Sequence, residues 1–529
     1  MTFLNAEDSW PEDLRSDVCL VGSGIMGLAL TQHLLANSKA HIVLIEQGPL
    51  EDTEALSAVP EERNSGDLVS GVAASRAKGF GGSSRRWGGQ ALPFFPQDLD
   101  DRPFLKLRDP WPLKLADLAP HYKQASAFLD LDPISFDANL WNSPLFDQAF
   151  GPAKTLELNF SKWSPVAYLA DRYRPIIAAS PRVTCIYNAR VTAVHLNREG
   201  NKVEGVRVRC GNGQGALLLS PLVVLCGGGI ENPRLLLASP QGDRQGIGND
   251  HDLVGRFYQD HIGFYAARLE PLNWRLFEHL FAAFLNGNQK FLPKLQLSQA
   301  TQKSQELLNV TGNIEIQESE LAPRQAARRI YRRLSGLRRQ DSSLIADGKL
   351  LLKAPASAFQ IARSYLRGRL HVPKEARYFL IANAESEPLH DSRILLDSSV
   401  DSDGQPRALV HWRCSDRTLM TLRTYVSGLR DTLEQTGIAK VFPSTYLTES
   451  NLDWKKRTYS IYHHMGATRM AVSARQGVVD PNGQVFGVAN LYVAGTSVLP
   501  TGSASNPSFT ALALTLRLGD HLLRQLPQS

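Results

Sequence analysis

The sequence is poor in cysteine and lacks both a long apolar run and a signal-like N-terminus, and each absence excludes a class of protein. Its 529 residues include five scattered cysteines with no C-x-x-C pair, which argues against a disulfide framework, a zinc ribbon and an attached c-type haem. No stretch of about 18 uncharged apolar residues occurs, so no membrane-spanning helix is expected. The first residues are acidic, without the apolar core of a secretory signal. We expect a soluble, cytoplasmic protein with reduced thiols and no metal site.

The excess of positive charge is small and is concentrated in one segment. The formal net charge is +6, and the composition is that of an ordinary globular chain. Residues 321–370 contain twelve Lys or Arg and two Asp or Glu, so this segment carries +10 and the rest of the chain −4. We therefore do not expect the body of the protein to bind nucleic acid.

Paired arginines in the basic segment 321–370 predict a helix with one charged side. Arg328 and Arg329 are followed by Arg332 and Arg333 at helical spacing, and Ile330, Leu334 and Leu337 would then face the body. The stripe is typical of a solvated helix whose arginine stems cover apolar surface. It would also suit docking to an anionic membrane or to an acidic electron acceptor. Both interpretations stay open at this stage.

The opening residues predict a strand–helix–strand unit. Asp17–Gly22 and His41–Ile45 are short apolar strands, and a helix over Leu28–Leu35 connects them. This arrangement requires a parallel sheet with a right-handed crossover. The apolar strands Leu222–Cys226 and Asn490–Ala494, far along the chain, would complete that sheet.

A second architecture is predicted for the middle of the chain. Alternating apolar and polar residues at 309–316, 378–384, 392–396 and 408–412 predict an antiparallel sheet beside helices. Residues 182–196 indicate one long strand. The fold class is therefore α/β, with a Rossmann-like domain interleaved with an α+β domain built on an antiparallel sheet.

A glycine turn follows the first strand. Residues 22–27 read Gly-Ser-Gly-Ile-Met-Gly, the G-x-G-x-x-G pattern that lets helix N–H groups approach a pyrophosphate. Glu46 ends the next strand, where an acid would bind the ribose hydroxyls of an adenosine half. The pattern predicts a dinucleotide site and leaves FAD and NAD open. The glycine- and serine-rich loop 79–89 favours FAD, because its backbone donors could line a diphosphate and Trp87 could pack against a flavin ring.

A dense group of functional residue types occupies the last quarter of the chain. Residues 462–470 read Tyr-His-His-Met-Gly-Ala-Thr-Arg-Met, and Asn506-Pro507-Ser508 follows 43 residues after His463. Together with the N-terminal turn, the loop 79–89 and the stretches 222–239 and 477–520, these blocks resemble the glucose–methanol–choline (GMC) FAD oxidoreductases, in the family's order. The pattern is most similar to the branch of bacterial fructose, gluconate and sorbitol dehydrogenases and pyranose 2-oxidases.

The resemblance implies roles for individual residues. It implies that His463 is the catalytic histidine and that Asn506 is the second catalytic position. This is chemically reasonable, because hydride leaves an alcohol carbon for flavin N5 only if the hydroxyl proton moves to a base, and a neutral imidazole suits that task. We expect His464 to shape the site and His261 to be structural. The predicted cofactor-binding residues are Gly22, Gly24, Ile25, Met26, Gly27, Glu46, Gly82, Ser83, Ser84, Trp87, Gly88, Gly89, Val191, Gly227, Gly495, Thr496, Asn506, Pro507 and Ser508.

Two departures from the family pattern bear on the cofactor. Arg86 occupies the position where some relatives tether FAD through a histidine, so the resemblance implies non-covalent FAD. Gly495 and Thr496 stand where many members have an acid and a small residue. The helix that starts at Asn506 would point at the flavin and stabilise negative charge on its reduced form.

The resemblance also implies the domain limits, in a GMC or p-hydroxybenzoate hydroxylase-like arrangement. The FAD-binding domain would comprise residues 14–100, 180–264 and 456–529, and the substrate domain would comprise residues 101–179 and 265–455.

The expected function is FAD-dependent oxidation of a CH–OH group of a sugar, polyol or sugar-like metabolite, including an amino sugar. Polar residues over 385–393 would suit a polyhydroxylated or cationic substrate, or would form a solvated loop. The electron acceptor could be O₂, a quinone or a redox protein. A hydroxynitrile-lyase-type enzyme on the same fold and a non-catalytic flavin-binding subunit are the alternatives.

Overall fold

A computed structural model gives the fold of most of the chain. The residues that it describes are 3–11, 14–51, 63–67, 72–105, 107, 111–133, 136, 143–151, 154–166, 168–241, 244–287, 289–334 and 343–526.

A six-stranded parallel sheet forms around the opening strands. Its order is β1-β7-β3-β2-β11-β23, and every neighbouring pair is parallel. Short runs of Val, Leu and Ile form the central strands because both faces of the sheet are covered. The strands are β1 (Phe3–Asn5), β2 (Val18–Val21), β3 (Ile42–Ile45), β7 (Val183–Tyr187), β11 (Val223–Leu225) and β23 (Leu491–Val493).

A larger sheet of nine strands is antiparallel throughout its main path. The path runs β21-β14-β18-β17-β16-β6-β5, with β15 paired to β16 and β22 paired to β14. The strands are β5 (Gln90–Ala91), β6 (Leu156–Trp163), β14 (Ile262–Pro271), β15 (Phe284–Asn286), β16 (Gln289–Leu297), β17 (Val310–Gln317), β18 (Arg377–Ala384), β21 (Ala439–Pro443) and β22 (Tyr459–Ser460).

Smaller sheets complete the strand inventory of the described residues. β8, β9 and β10 form an antiparallel meander, β12 pairs with β13, and β4 and β19 flank β20. Their bounds are β4 (Arg63–Gly66), β8 (Ala189–Leu196), β9 (Val203–Cys210), β10 (Gly215–Leu219), β12 (Pro240–Gln241), β13 (Arg244–Gln245), β19 (Arg393–Val400) and β20 (Pro406–Trp412).

Helices cover both sheets. The helix α12 packs on the antiparallel sheet, and α14 packs beside α1 and α3. The helices are α1 (Ile25–Asn37), α2 (Pro96–Leu99), α3 (Leu115–Phe128), α4 (Pro144–Ala149), α5 (Leu169–Ala178), α6 (Gly228–Ala238), α7 (Trp274–Phe281), α8 (Gln299–Ser304), α9 (Pro323–Leu334), α10 (Leu344–Lys353), α11 (Pro355–Leu366), α12 (Asp416–Gln435), α13 (Thr445–Thr448) and α14 (Pro507–Leu523). Of the helices within the described ranges, none is both long and apolar enough to cross a membrane.

The predicted strand over 182–196 is wrong as a single element. β7 ends at Tyr187 and β8 begins at Ala189, because Asn188 between them takes a left-handed backbone conformation with φ of 53°. Asn tolerates this conformation better than most residues do. The break lets β7 join the parallel sheet while β8 starts the small meander.

The predicted partners of two other strands are also wrong. The strands over 309–316 and 378–384 do pair in the antiparallel sheet. However, β19 and β20, which contain residues 392–396 and 408–412 almost entirely, form a separate sheet with β4 from the first part of the chain. Alternating polarity identifies a half-buried strand but does not specify which strand it pairs with.

In the described part of the basic segment, the helices α9, α10 and α11 contain most residues, and one of the arginines predicted to be exposed is held by neighbouring groups. Arg329 donates through Nε to Oδ1 of Asp347 at 2.9 Å and through Nη1 to the carbonyl oxygen of Glu320. Ile330 is only half-buried. The predicted positions of the Leu334 and Leu337 side chains lie outside the described residues.

Candidate active site

A cavity of about 670 Å³ opens at the carboxyl edge of the parallel sheet. β2, β11 and β23 all end at this edge, which is where ligands bind in open parallel sheets. Its walls come from several loops and from the starts of α1, α6 and α14. The predicted site residues that line it are Gly22, Gly24, Ile25, Met26, Glu46, Gly82, Ser83, Ser84, Trp87, Gly88, Val191, Gly227, His463, Gly495, Thr496, Asn506, Pro507 and Ser508.

Two predicted cofactor residues, Gly27 and Gly89, are not among the residues that line the cavity. A Cβ on Gly27 would lie 2.0 Å from the carbonyl oxygen of Gly22, so this glycine lets α1 pack against the turn. Gly89 has a φ of 72°, and its carbonyl oxygen accepts from the backbone N–H of Ser164 at 2.7 Å. These contacts are with the chain itself, so they give each glycine a conformational role.

Glu46 lies at the predicted end of β3, but chain donors surround its carboxylate. Oε2 accepts from the backbone N–H of Ser23 at 3.0 Å and from the Ser23 hydroxyl at 2.6 Å. Oε1 accepts from the N–H groups of Gly48 at 3.0 Å and Gly79 at 2.8 Å. Glu46 thus links the first turn to the loop 79–89. A ribose hydroxyl would have to share these acceptor sites, so the binding of ribose stays a prediction.

The start of α14 presents Asn506 to the cavity. Asn506 is the N-cap residue, but its side chain makes no capping hydrogen bond, and Pro507 occupies the first turn. The amide is directed instead towards His463, with its Nδ2 3.4 Å from Nε2 of the imidazole. The structure therefore brings the two predicted catalytic residues together, although 43 residues separate them.

His463 has a second histidine behind it. Nδ1 of His463 lies 2.8 Å from Nδ1 of His261, and the two rings are nearly perpendicular. The backbone N–H of His463 donates to Oδ1 of Asp260 at 2.7 Å. The preceding residue, Tyr462, has a left-handed backbone with φ of 67°, an uncommon conformation for a bulky residue. The ring is thus fixed through both its backbone and its Nδ1 atom.

The environment keeps both imidazoles neutral. Burial lowers the pKa of His463 to about 4, and the charge of Lys294 adds to this effect. Burial and the neighbouring His463 lower the pKa of His261 to about 3. The carboxylate of Asp260 opposes both shifts without cancelling them. Both rings are therefore unprotonated across the physiological pH range, as a general base requires.

His464, the other member of the pair, contacts Tyr258 and the opposite oxygen of Asp260. Its Nδ1 lies 2.7 Å from the Tyr258 hydroxyl oxygen and 3.3 Å from Oδ2 of Asp260. Burial raises the pKa of Asp260, but hydrogen bonds from His464 and Ser460 outweigh burial, so the net pKa lies below its ordinary value. Asp260 therefore connects the two histidines as a buried carboxylate.

Sequence reasoning missed the placement of three residues. We expected a structural role for His261 and made no prediction for Asp260 or Lys294, whereas Asp260 and His261 contact His463 and the charge of Lys294 acts on it. The only sequence signal was the adjacency of Asp260 and His261. Their distance from His463 along the chain concealed the contact.

The acidic stretch over 385–393 does not provide the expected polar wall for a cation. Glu385 is fully buried, and both of its oxygens accept from the guanidinium of Arg102 at 2.7 Å. Burial lowers the pKa of Arg102, but the Glu385 carboxylate outweighs that effect and raises it overall. This carboxylate is therefore engaged within the protein, because the pair satisfies both charges.

Comparison with known proteins gives the class of the chain. A family profile described as GMC oxidoreductase matches residues 388–515, which include His463 and Asn506. The fructose dehydrogenase large subunit of Gluconobacter japonicus is 21% identical, over 98% of this chain and 99% of that relative. The 2-methyl-1,2-propanediol dehydrogenase of Mycolicibacterium austroafricanum is 24% identical, over 64% of this chain and 54% of that relative's length.

Solved structures share the fold. Pyridoxine 4-oxidase from Mesorbium loti superimposes with a TM-score of 0.56 at 17% identity, covering 96% of this chain and 99% of that one. A formate oxidase superimposes with a TM-score of 0.55 at 15% identity, covering 96% and 98%. The profile and the named relatives are oxidoreductases. Over residues 388–515 the chain is similar to the GMC oxidoreductase family.

The residues around the cavity fit FAD. A Cβ on Gly24 would have open space within 4 Å, and one on Gly82 would lie 3.0 Å from the Gly24 backbone, so glycine backbones from two loops meet at the cavity. The start of α1 and the start of α14 both face it, and helix starts stabilise negative charge. Among the described residues, no group of acidic, His and Cys side chains is arranged to hold a metal ion.

Proposed function

We propose that this chain oxidises a CH–OH group of a sugar, polyol or sugar-like metabolite, with His463 as the base. The observation that carries the proposal is the placement of His463 between Asn506 and His261 at the wall of the cavity. FAD, held by the glycine loops and by the starts of α1 and α14, would supply the hydride acceptor. The substrates named for the relatives, fructose and a propanediol, belong to the same chemical class.

The hydrogen bonds of His463 favour the tautomer that a base needs. An amide NH₂ can only donate, so the contact from Nδ2 of Asn506 requires a lone pair on Nε2 of His463. The proton of the neutral ring is then on Nδ1, which donates to Nδ1 of His261. Nε2 therefore carries the lone pair, which can accept the hydroxyl proton of an alcohol once the substrate oxygen replaces it as the acceptor of the Asn506 amide. The positive charge that forms is stabilised by the nearby carboxylate of Asp260.

Asn506 would serve the substrate as well as the base. Its amide donates over a long 3.4 Å contact, which a substrate oxygen could replace with a shorter one. The amide cannot take a proton itself, so it can hold the oxygen without competing with His463. These roles make Asn506 the substrate anchor.

Anaerobic spectroscopy tests the proposal. We would add sugars, polyols and polyhydroxy acids to the purified flavoprotein without oxygen and follow the visible band of the oxidised flavin. Oxidation of the alcohol requires that the band bleaches with substrate alone. A cyanohydrin that is cleaved without bleaching would indicate a lyase instead, and a flavin that no alcohol reduces would overturn the proposal.

We also propose that the helices α10 and α11 dock on an anionic membrane surface. Among their described side chains, Ile345 is 72% exposed, Leu352 80%, Phe359 67% and Leu366 86%. We call these four residues the exposed ridge. The two in α10 are seven positions apart, and so are the two in α11, so the members of each pair share one face of their helix. No residue of α11, which is described throughout, is buried. Exposed apolar patches of this kind mark interaction sites.

The positively charged side chains beside the exposed ridge indicate an anionic partner. Lys349, Lys353, Arg363 and Arg367 are exposed, and none forms an ion pair with a carboxylate in the described part of the chain. A surface of apolar side chains flanked by Lys and Arg matches the interface of an anionic bilayer. The apolar side chains would enter the boundary between headgroups and acyl chains, and the cations would bind the anionic headgroups. Two copies meeting through this face would oppose like charges, which disfavours a dimer.

Vesicle binding tests the docking surface. Native protein should sediment with vesicles of phosphatidylcholine and phosphatidylglycerol, less so at high salt, and not with phosphatidylcholine alone. Leu352→Ser with Leu366→Ser should abolish binding, whereas Leu217→Ser with Leu219→Ser, on the exposed strand β10, should not. Equal binding by both double variants, absence of binding, or a dimer that only the ridge variant loses would overturn membrane docking.

A further inference from the structure

A buried cation lies close to the paired histidines without a carboxylate partner. The Lys294 side chain, on β16, is buried, and its Nζ donates to Oδ1 of Asn313 at 3.4 Å. Within the described residues it forms no ion pair. Burial lowers the pKa of Lys294 to about 8, so the ammonium form predominates at neutral pH. β16 lies in one sheet with β14, which begins directly after His261, and the charge of Lys294 also lowers the pKa of His261 and of His463.

The neighbours of Lys294 on the sheet face are also hydrogen-bond donors. Asn159 on β6 lies directly opposite Lys294 in the strand register. It is buried, and its Nδ2 has no acceptor among the described residues. Burying an amide donor without an acceptor is costly, and so is burying an ammonium that has one long hydrogen bond and no counter-charge. The two groups therefore call for an acceptor-rich ligand that carries negative charge.

A continuous row connects Lys294 to the cavity. Residues 159, 161 and 163 of β6 alternate onto one face. Ser161 accepts from Nε2 of Gln90 at 2.6 Å, and Gln90 and Trp163 line the cavity. Lys294 and Asn159 thus lie at the inner end of a polar row that starts at the cavity wall.

Carboxylates near this row are already engaged. Glu385 is paired with Arg102, and Asp260 accepts from the backbone of His463. Glu157, two residues beyond Asn159 on β6, accepts from the backbone N–H of Gln299 at 2.8 Å. Within the described residues none of these carboxylates forms an ion pair with Lys294, so this cation has no direct counter-charge and disfavours a cationic group beside it.

We infer that Lys294 and Asn159 bind a carboxylate of the substrate, so the enzyme prefers a polyhydroxy acid to a neutral or cationic polyol. The carboxylate would take the donors of Lys294 and Asn159 while a hydroxyl further along the molecule meets His463. No covalent step is involved. The inference rests on the proposed function, because it names the substrate class of the same site.

The test uses three probes that differ at one carbon. Gluconate, sorbitol and 1-amino-1-deoxysorbitol carry COO⁻, CH₂OH and CH₂NH₃⁺ on the same polyol chain. The readouts are the shift in melting temperature, which reports binding without turnover, and the second-order rate of anaerobic flavin reduction. Glucuronate with glucose and glycerate with glycerol repeat the comparison for other chain lengths.

The expected result is a preference for the acids that depends on Lys294. Lys294→Gln should lower the acid-to-neutral ratio by about 30-fold or more, the fold-change for losing one partner of a buried charge pair. Lys294→Arg should keep most of the ratio, and Lys303→Gln, on exposed α8, should leave it unchanged. Flavin content checks that each variant folds.

Two results would overturn the inference. One is that the acids neither bind nor react better than their neutral partners. The other is that Lys294→Gln slows acids and neutral polyols equally, which would assign the cation a general electrostatic role. Failure of the proposed function would look different, because then no probe of any charge would reduce the flavin.

Discussion

His463 and His261 meet through their Nδ1 atoms, 2.8 Å apart. Two neutral imidazoles in such contact share a single proton, since one ring must donate and the other accept. The amide of Asn506 at the far side of His463 determines which ring donates. The pair therefore sets the tautomer of the proposed base, in addition to holding its orientation.

Replacing His261 tests this positioning role. His261→Leu removes the acceptor for the Nδ1 proton of His463, so both tautomers of His463 become accessible. We expect flavin reduction to slow by about tenfold to a hundredfold, less than the two to four orders of magnitude that a base itself contributes. His261→Asn, which keeps an acceptor, should recover most of the rate. Equal loss in both variants, with normal flavin content, would indicate that the residue only fills space.

Asn506→Ala should weaken substrate binding and slow the reaction together. The variant removes the anchor for the substrate oxygen, while the pKa of His463 is set by burial and by other groups. We expect a loss of about tenfold or more in kcat/KM, with the pH profile unshifted. Asn506→Asp is the matched variant, and its negative charge should raise the pKa of His463. Full activity in Asn506→Ala would show that Asn506 does not anchor the substrate oxygen.

The pH dependence of flavin reduction follows from the lowered pKa of His463. Since burial lowers the pKa from 6.5 to about 4, the ring stays neutral as the pH falls through 6.5. The rate should therefore be level from pH 8 to about 5 and should fall only as the pH approaches 4. Rapid-mixing experiments with the oxidised enzyme give this profile directly. A rate that halves near pH 6.5 would show that the ring is not desolvated.

FAD should leave the protein on denaturation. Arg86 lines the cavity at the position where tethered relatives carry a histidine, and a guanidinium is not suited to that bond. Acid precipitation should leave a colourless pellet and yellow supernatant, in which chromatography identifies FAD. Colour that stays with the washed pellet, or FMN in the supernatant, would contradict this prediction.

Short sequence motifs correctly predicted the edge of the parallel sheet at which the cavity opens. The turn 22–27 follows a buried strand, and β2, β11 and β23 are adjacent as expected from their apolar residues. The antiparallel strands were also recognisable, but the partners of β19 and β20 were not. Polarity reports which face of a strand is buried, while partner choice depends on contacts between distant parts of the chain.

The residues that lie behind His463 could not be predicted, because they too come from distant parts of the chain. His463 and Asn506 were found because their neighbours along the chain resemble a family motif. The sequence around His261 resembles the family only weakly and that around Lys294 not at all, and only the pairing of β14, β18, β17 and β16 places their strands in one sheet with the site. The ion pair of Glu385 was not predicted because its partner, Arg102, is remote in sequence.

Replacing His463 tests whether its imidazole is the base that accepts the hydroxyl proton. Anaerobic reduction of bound flavin by the best substrate would be compared in native protein, His463→Ala, and His390→Ala as an exposed histidine control. We expect that His463→Ala keeps its flavin and that this flavin is reduced about two to four orders of magnitude more slowly than in the native protein. The rate in His390→Ala should be unchanged. A His463→Ala enzyme that is reduced at nearly the native rate, while His464→Ala is inactive, would contradict the account.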